Sequence, residues 1–504
     1  MKFNFTTKGK NKVMNHESEQ AYRLSPEWQL YTAAVTSSLS DKFYESAETR
    51  VETLHTLVAQ CDPVFVAKLA VYARQKMNMR SVPLVLAIEL ARVHRGDATV
   101  SKMVSGIVRR ADEITELLAY YQLANQRKDT KKLNRLSKQL QSGLQDAFNR
   151  FDEYQFAKYN RDTGVKLRDA LFLVHPKAKD ESQQVLFNKI VNNELETPYT
   201  WETELSALGQ IKFAFGKEKE IAFCMKWEEL IDSRKIGYMA LMRNLRNILE
   251  AGVSQQHIMS VCNTLSDAEA VHRSKQLPFR FLAAYREISK VKSAYAGRVM
   301  DALEQAVAVS AENIIGFDED TTVWIAADVS GSMQRPISPK SKILSYDIGL
   351  MLAMLLKSRY QNAVTGMFGD SWKVINVPTQ GILSNVDAFY RREGEVGYAT
   401  NGYLVIEDLL KSKQLVDKVM MFTDCQLWNN RNDKKITGLW NSYKKIAPDS
   451  KLYLFDLSGY GTTPLDITRE DVYLIAGWSD KVFDIIAAID RGGDALDEIR
   501  NIEL

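Results

Sequence analysis

The chain has 504 residues, 45% of them hydrophobic, so it is long enough for two or three domains with filled cores. No apolar run approaches the ~20 residues of a membrane span, and the N-terminus lacks a signal peptide's apolar stretch, which predicts a cytoplasmic protein without a membrane anchor. The four cysteines have neither zinc-site nor disulfide-framework spacing, and we expect reduced, buried thiols at Cys61, Cys224, Cys262 and Cys425.

The net charge of +3 conceals a difference between two parts of the chain. The first 310 residues carry 45 Lys and Arg against 36 Asp and Glu, whereas the remainder carries 21 against 27. A basic first part favours a polyanion, such as a nucleic acid, as its partner. Solvated helix faces would produce a milder imbalance of the same sign, and this alternative stays open.

Residues 1–20 hold several lysines and show little periodicity, which favours a flexible basic arm, with plain terminal disorder as the alternative. From residue 21 to residue 312, apolar residues recur at spacings of three and four, as in the series Val51, Leu54, Leu57 and Val58. Breaks that contain Pro or Gly separate these segments. Many short amphipathic helices without one long heptad run are typical of stacked helical hairpins, so we predict a HEAT-like solenoid.

The most basic stretch of this helical part covers residues 127–179. Its first helix has a leucine stripe, so the cations face outward, and the next segment places further cations near Tyr159 around a turn that contains Gly. Cations interleaved with an aromatic ring can contact phosphates and stack on unpaired bases. A solvated basic face is the alternative, and a lone histidine on an apolar stretch is commonly a core residue. The RNA-binding candidates are Lys132, Arg135, Lys158, Arg161, Lys166, Arg168, His175 and Lys177.

Residues 313–504 begin with a linker and then alternate apolar strands with helical segments. Such alternation predicts an α/β domain with a doubly wound parallel sheet and helices on both faces. The acidic tail that follows residue 490 is expected to pack on the first part of the chain, with an exposed helix as the alternative. The predicted strands are 323–327, 363–368, 374–377, 419–423, 452–457 and 472–476, and the predicted helices are 343–359, 386–392, 404–411, 436–443 and 481–490.

The segment D-V-S-G-S follows the first of these strands. It places Asp328, Ser330 and Ser332 at the edge of the sheet where α/β domains bind ligands. One carboxylate and two hydroxyls are hard oxygen ligands that suit Mg²⁺, with Mn²⁺ as a substitute. Asp and Ser are also common in turns and helix caps, which is the alternative interpretation.

This pattern resembles the metal-ion-dependent adhesion site of the von Willebrand factor A family. That family also needs a Thr on a second loop and an Asp after a later strand, and Thr400 and Asp424 follow in the right order. The resemblance implies that Asp328, Ser330, Ser332 and Thr400 hold the ion while Asp424 accepts a hydrogen bond from a bound water. It also implies a protein partner whose acidic residue takes the open coordination position.

The segment R-D-A-L-F-L-V-H-P-K at 168–177, the segments 238–245 and 277–281, and the later D-V-S-G-S-M together resemble the Ro 60-kDa autoantigen family. In that family, a TROVE module of HEAT-like helices forms a ring closed by a von Willebrand A domain. The resemblance extends from about Asn15 to the end and implies a TROVE module at 21–312 and a von Willebrand A domain at 313–504. It further implies a monomeric ring that binds Y RNA and single-stranded ends of misfolded RNAs in RNA quality control. Bacterial members can be tethered through Y RNA to a 3′ to 5′ exonuclease.

The sequence lacks several motifs that would indicate an enzyme. It contains no Walker A loop, no G-x-S-x-G elbow and no H-E-x-x-H helix. A dehalogenase-like phosphatase would need a second Asp where Ser330 stands. We therefore expect a binding protein rather than an enzyme. The alternative function is a metal-dependent protein-binding module that partners an AAA+ chaperone or a chelatase, but the basic helical part favours RNA.

Overall fold

The computed structural model of the chain describes residues 12–37, 46–125, 136–160, 163–312, 314, 320–339, 341–428 and 435–504. Two compact units emerge from the packing of the described residues. We call one the mixed unit, from Met1–Glu52, Tyr238–Glu250 and Gln255–Glu498, and the other the helical unit, from Thr53–Gly237, Ala251–Ser254 and Ile499–Leu504. None of the helices described here is both long and apolar enough to cross a lipid bilayer.

Helices dominate the described residues up to Glu312, as the apolar periodicity predicted. They are α1 (Pro26–Val35), α2 (Ala47–Gln60), α3 (Pro63–Gln75), α4 (Ser81–Val93), α5 (Thr99–Ile107), α6 (Asp112–Ala124), α7 (Lys138–Phe148), α8 (Glu153–Tyr159), α9 (Leu167–Val174), α10 (Glu181–Asn192), α11 (Trp201–Gly209), α12 (Gly216–Asp232), α13 (Tyr238–Arg243), α14 (Leu245–Glu250), α15 (Gln255–Ser266), α16 (Ala268–Ser274), α17 (Pro278–Ile288) and α18 (Ala296–Ala311).

Local sequence signals set where several of these helices begin. Asp62 caps α3 by accepting a hydrogen bond from the Phe65 amide at 2.9 Å, and Pro63 occupies the first helical position, where its missing N–H costs nothing. At the start of α8, Asp152 and Gln155 each accept a hydrogen bond from the other's amide and form a capping box. These boundaries follow from the sequence because each cap involves residues only three positions apart.

Within the helical unit, neighbouring helices stack as the solenoid prediction requires: α3 packs on α4 and α5, and α5 packs on α7. The closest approach involves Gly143 of α7, where an added Cβ would lie 2.6 Å from the Ser101 carbonyl oxygen and from the Val104 side chain. Only glycine fits there. The C-terminal residues also belong to this unit, where Lys68 Nζ donates to the Arg500 carbonyl at 2.5 Å.

The described residues also form the strands and the later helices β1 (Lys12–Met14), β2 (Gln20–Arg23), β3 (Val323–Asp328), α19 (Ser345–Arg359), β4 (Ala363–Phe368), β5 (Trp372–Val374), α20 (Ile382–Tyr390), α21 (Tyr403–Ser412), β6 (Lys418–Thr423), α22 (Ile436–Tyr443), β7 (Lys451–Asp456), β8 (Thr462–Thr463), β9 (Val472–Ala476), α23 (Val482–Asp490) and α24 (Ala495–Arg500). The mixed unit contains a six-stranded sheet in the order β5-β4-β3-β6-β7-β9, and its strands β4, β3, β6, β7 and β9 run parallel. Every residue of β3 and β6 is buried, because helices cover the faces of the sheet.

The edge strand β5 differs from the prediction in both position and direction. A strand at 374–377 in a parallel sheet was expected, but β5 ends at Val374 and pairs antiparallel with β4, with Phe368 opposite Trp372. Only three residues separate the two strands, which permits a hairpin and excludes the long crossover that a parallel neighbour needs.

The prediction of a flexible arm at residues 1–20 is wrong for its described part. Strands β1 and β2 form an antiparallel hairpin, and β2 adds to β8 through the pairing of Tyr22 with Thr463. Residues 1–11 lie outside the described residues. The four cysteines are free thiols, and three are buried as expected, but Cys224 is half-exposed.

Candidate metal centre and nucleic-acid interface

The predicted metal ligands lie where the parallel strands of the sheet end. Asp328 is the last residue of β3, and the register places it beside Phe368 of β4 and one position beyond the pair Ala327–Phe422 of β3 and β6. Its Oδ1 accepts from the Ser330 amide at 2.9 Å, and its Oδ2 accepts from the Thr423 hydroxyl at 2.6 Å. The carboxylate is therefore fixed at the carboxyl edge of the sheet by two charge-assisted hydrogen bonds.

The two predicted serine ligands lie on the turn that follows β3. The Ser330 and Ser332 hydroxyl oxygens are 3.2 Å apart, and both side chains are buried. Ser332 belongs to a short 3₁₀ turn, Gly331–Gln334, and the Gly331 amide donates to the Tyr398 carbonyl at 3.0 Å. This last bond joins the serine loop to the loop that carries Thr400.

Thr400 and Asp424 complete the set on two further loops. The Thr400 carbonyl accepts from the Trp428 amide at 3.0 Å, which joins its loop to the one that follows β6. Asp424 comes directly after β6, and its Oδ1 accepts from the Gln426 amide at 3.0 Å. Thus backbone and side-chain hydrogen bonds bring together the three loops on which the sequence placed the ligands.

Burial without pairing distinguishes two atoms of this set. The Thr400 hydroxyl oxygen and Asp424 Oδ2 are both inaccessible to solvent, and neither has a hydrogen-bond partner among the described residues. A buried polar atom that lacks a partner costs about 1–3 kcal/mol, so such atoms usually indicate a bound water, ion or functional group.

Electrostatics favours a cation at the same place. Burial raises the pKa of Asp328, and the negative charge of Glu17 raises that pKa further, against the hydrogen bonds from Ser330 and Thr423. Burial also raises the pKa of Asp424, and the charge of Asp328 adds to this effect. Two buried carboxylates are unfavourable as a pair of anions, and a divalent cation at this place would remove the repulsion that raises the pKa of Asp424.

The donor set fits Mg²⁺ or Mn²⁺ in its chemistry, with hard oxygen donors and few charges. Among the described residues, no group of three or more His, Cys, Asp or Glu side chains has metal-binding geometry. The predicted ligands contain only two carboxylates, and the others are hydroxyls. Metal binding at Asp328, Ser330, Ser332, Thr400 and Asp424 therefore stays a prediction that the two orphaned atoms support.

The sequence-based prediction missed several residues that surround this set. Thr423 holds Asp328, Gln426 holds Asp424, and Trp428 holds the loop of Thr400. Thr423 had a detectable signal, because it ends the strand that pairs with β3 and therefore faces the same edge. No sequence signal indicated Glu17, whose carboxylate accepts from the Trp428 indole at 2.7 Å.

Five of the eight basic candidates are described, and these five lie in the helical unit. Lys132, Arg135 and Arg161 lie outside the described residues. The others are exposed, at the end of α8 and around α9: Lys158, Lys166, Arg168, His175 and Lys177. The core position considered for His175 is wrong, because this residue is exposed at the C-terminal end of α9, where it adopts the left-handed conformation with φ +49°.

Aromatic rings lie among these cations, but the ring of Tyr159 is already in contact with another cation. The Arg110 guanidinium lies over the Tyr159 ring at 4.3 Å from its centroid, so an unpaired base would have to displace it from that face. Tyr154, which is 44% exposed, and Phe172, which is 46% exposed, are the more accessible rings. The Arg168 guanidinium lies 5.7 Å from the Phe172 ring one helical turn away. Arg110 and the two exposed rings were not among the predicted contacts.

A family model described as TROVE domain matches residues 25–203 and 192–312, more than half of the chain. Telomerase protein component 1 of Rattus norvegicus is 24% identical over 416 residues, which cover 66% of this chain and 15% of that protein. The Mus musculus protein of the same name is 25% identical over 314 residues, which cover 47% of this chain and 11% of that protein. The chain thus spans only a small fraction of the length of these two relatives.

A solved structure is similar over nearly the whole chain. The crystal structure of the Deinococcus radiodurans Ro (RSR) protein matches with a TM-score of 0.60 at 18% identity, covering 93% of this chain and 100% of that chain. At this identity the match shows a common fold. The predicted fold class, a helical region followed by an α/β domain, is confirmed.

Proposed function

Because the chain belongs to the TROVE-domain family, as its resemblance to the Ro 60-kDa autoantigen family predicted, we propose that it is an RNA-binding protein. The family match over residues 25–312 is the observation that carries this proposal. Exposed cations within that match, on and around α8 and α9, supply the charge that phosphates require. The excess of Lys and Arg over Asp and Glu in the first 310 residues also favours RNA binding by this part of the chain.

The exposed rings and cations on and around α8 and α9 suit an RNA that has unpaired segments as well as a structured part. Exposed rings at Tyr154 and Phe172, interleaved with Lys158 and Arg168, suit the stacking of unpaired bases. This supports binding of small non-coding Y RNA and of the single-stranded ends of structured or misfolded RNAs. The protein would act as a monomeric ribonucleoprotein in RNA quality control, a binding protein rather than an enzyme, and Y RNA would tether it to a 3′ to 5′ exonuclease.

The α/β domain adds a divalent metal site for a protein partner. Asp328, Ser330, Ser332 and Thr400 would hold Mg²⁺, and Asp424 would accept a hydrogen bond from a bound water. When bound, the ion supplies an electrophilic position for an external carboxylate. The orphaned Thr400 hydroxyl and Asp424 Oδ2 support this proposal, because both need a partner that the protein itself does not provide among its described residues.

The same site keeps a second candidate function in consideration. A metal-dependent von Willebrand A module can act through protein contacts alone, as the partner of an AAA+ chaperone or a chelatase. The site and its orphaned atoms favour this candidate. We rank it second because it leaves the basic helical part of the chain without a role.

RNA titration at two salt concentrations tests the proposal. The purified chain is titrated with a small structured RNA that ends in a single-stranded 3′ extension, and with the same RNA whose extension is paired. We expect submicromolar binding that weakens steeply with salt and prefers the unpaired extension. Binding that is micromolar or weaker, with no salt dependence, would contradict RNA binding and favour the second candidate.

A further inference from the structure

The guanidinium of Arg110 lies against an aromatic ring in the helical unit. Arg110 stands between α5 and α6, and its guanidinium carbon is 4.3 Å from the centroid of the Tyr159 ring at the end of α8. The face of a tyrosine ring attracts a cation at this distance, and a planar guanidinium can stack on it. Arg110 and Tyr159 therefore form the first two layers of a stack.

Two buried carboxylates hold Arg110 in place. Asp112 Oδ1 accepts from Arg110 Nε at 3.0 Å, and Asp112 Oδ2 accepts from Arg110 Nη2 at 2.9 Å, so this pair is bidentate. Glu113 Oε2 accepts from the backbone amides of Arg109 at 2.7 Å and of Arg110 at 3.0 Å. Because both the backbone and the guanidinium are bound, the plane of the Arg110 side chain has little freedom to rotate.

These contacts leave part of the Arg110 side chain open to solvent. It is 31% exposed, whereas the side chain of its partner Asp112 is 10% exposed. The bidentate pair uses Nε and Nη2, and Nη1 has no acceptor among the residues that the structure describes. Since the Tyr159 ring occupies one side of the guanidinium, a further planar group would stack on the other side.

Exposed cations lie next to this stack. Arg109 precedes Arg110 and is exposed, and the exposed Lys158 places its Nζ 5.9 Å from the centroid of the Tyr159 ring. Unpaired bases stack on guanidinium planes as well as on aromatic rings, and nearby cations bind the phosphates of the same strand. The ligand chemistry that fits a fixed guanidinium plane among such cations is therefore an unpaired nucleobase.

We propose that Arg110, stacked on Tyr159 and bound to Asp112, is the platform on which one unpaired RNA base stacks. Arg109 and Lys158 contact the phosphates of the adjoining nucleotides. This role rests on the RNA binding of the proposed function, to which it adds a specific base contact. Because the base is held by its face, the contact tolerates any of the four bases but requires that a base be present.

RNAs that lack single bases test this role. The probe is a hairpin RNA with a single-stranded 3′ extension, together with a series in which each unpaired nucleotide in turn lacks its base. We expect wild type to bind at least one member of the series about tenfold more weakly than the intact RNA. Arg110→Lys keeps the charge but removes the plane, so it should bind one such member and the intact RNA within about twofold, with the salt dependence of wild type.

Arg92→Lys is the matched control and should discriminate between the RNAs as wild type does. Arg92 is 36% exposed and donates to the buried Glu89 carboxylate at 2.7 Å, so the same change is made at a similar ion pair. Melting curves establish that each variant is folded. If Arg110→Lys does not fold, Tyr159→Leu decides, because it removes the ring that supports the guanidinium and should likewise weaken the discrimination.

Two outcomes would overturn the stacking role, and they are distinguishable. If wild type binds the RNA but no missing base weakens binding, or if Arg110→Lys discriminates as wild type does at every position, Arg110 only pairs with Asp112 and RNA binding stands without it. If wild type does not bind the RNA, the proposed function fails, and the role of Arg110 fails with it.

Discussion

Replacement of Arg286 by Met should strongly destabilise the mixed unit. Arg286 of α17 donates to both oxygens of Asp347 on α19, at 2.8 and 2.9 Å, and to Asp387 on α20 at 3.0 Å. The Asp347 side chain is 0% exposed and that of Arg286 is 18% exposed. Met has a similar length and preserves most of the apolar packing, so the substitution tests mainly the charge interaction.

The expected loss of stability depends on the buried Asp347 carboxylate, which the substitution leaves without its cation. Without the guanidinium, the buried Asp347 carboxylate retains the Leu344 amide at 2.8 Å as its hydrogen-bond donor. Breaking a buried ion pair by removing one partner costs about 3–5 kcal/mol, because an uncompensated charge remains in a low-dielectric environment. For a unit of this size, that cost corresponds to a fall in melting temperature of roughly 5–10 °C.

Differential scanning calorimetry measures the effect, and hydrogen exchange on α19 locates it. Arg392→Met is the control, because Arg392 makes a similar two-pronged pair with Glu395 at the surface and should leave the melting temperature nearly unchanged. Adding Asp347→Asn to Arg286→Met should recover part of the loss, since no buried anion then remains. An Arg286→Met protein that melts like the control would refute the reasoning.

Three further predictions concern binding and packing. Asp328→Ala should abolish Mn²⁺ binding and leave RNA affinity within about threefold of wild type. The reason is that the net negative charge of residues 311–504 repels RNA phosphates, so RNA should bind elsewhere on the chain. A tenfold loss of affinity, about 1.4 kcal/mol, in RNA titrations would show instead that the ion bridges the protein to RNA. Replacing Lys166 and Arg168 together by Ala should reduce the slope of log affinity against log salt by about 2, and an unchanged slope would identify them as solvated surface cations. Gly459→Ala should lower the melting temperature, because Gly459 has φ +64° and an added Cβ would lie 2.5 Å from a carbonyl oxygen of α1. Gly438→Ala is the control and should not lower the melting temperature, because no atom lies within 4 Å of the position that its added Cβ would take.

The sequence alone determined the features that depend on local pattern. Apolar spacing of three and four identified the helical region, and the alternation of strands and helices identified the α/β domain. Strands β4 and β9 and helix α22 have the predicted bounds, because each lies between clear breaks. The loop assignment of Asp328 followed from one rule, that ligands bind at the carboxyl ends of the strands in α/β sheets. The assignment of Asp424 came from the resemblance to the von Willebrand factor A family. The resemblance to the Ro family added the order of the two domains.

Tertiary structure decided the contacts between residues that are distant along the chain. Glu17 and Trp428 are 411 positions apart, and no periodicity, cap or turn signal relates them. The engagement of Tyr159 by Arg110, the pairing of β2 with β8 and the neutralisation of Asp347 by Arg286 have the same origin. A local pattern specifies which face of an element is buried, whereas the partner on that face is chosen by packing of the whole unit. The residues that surround the predicted metal ligands could therefore be identified only from the folded structure.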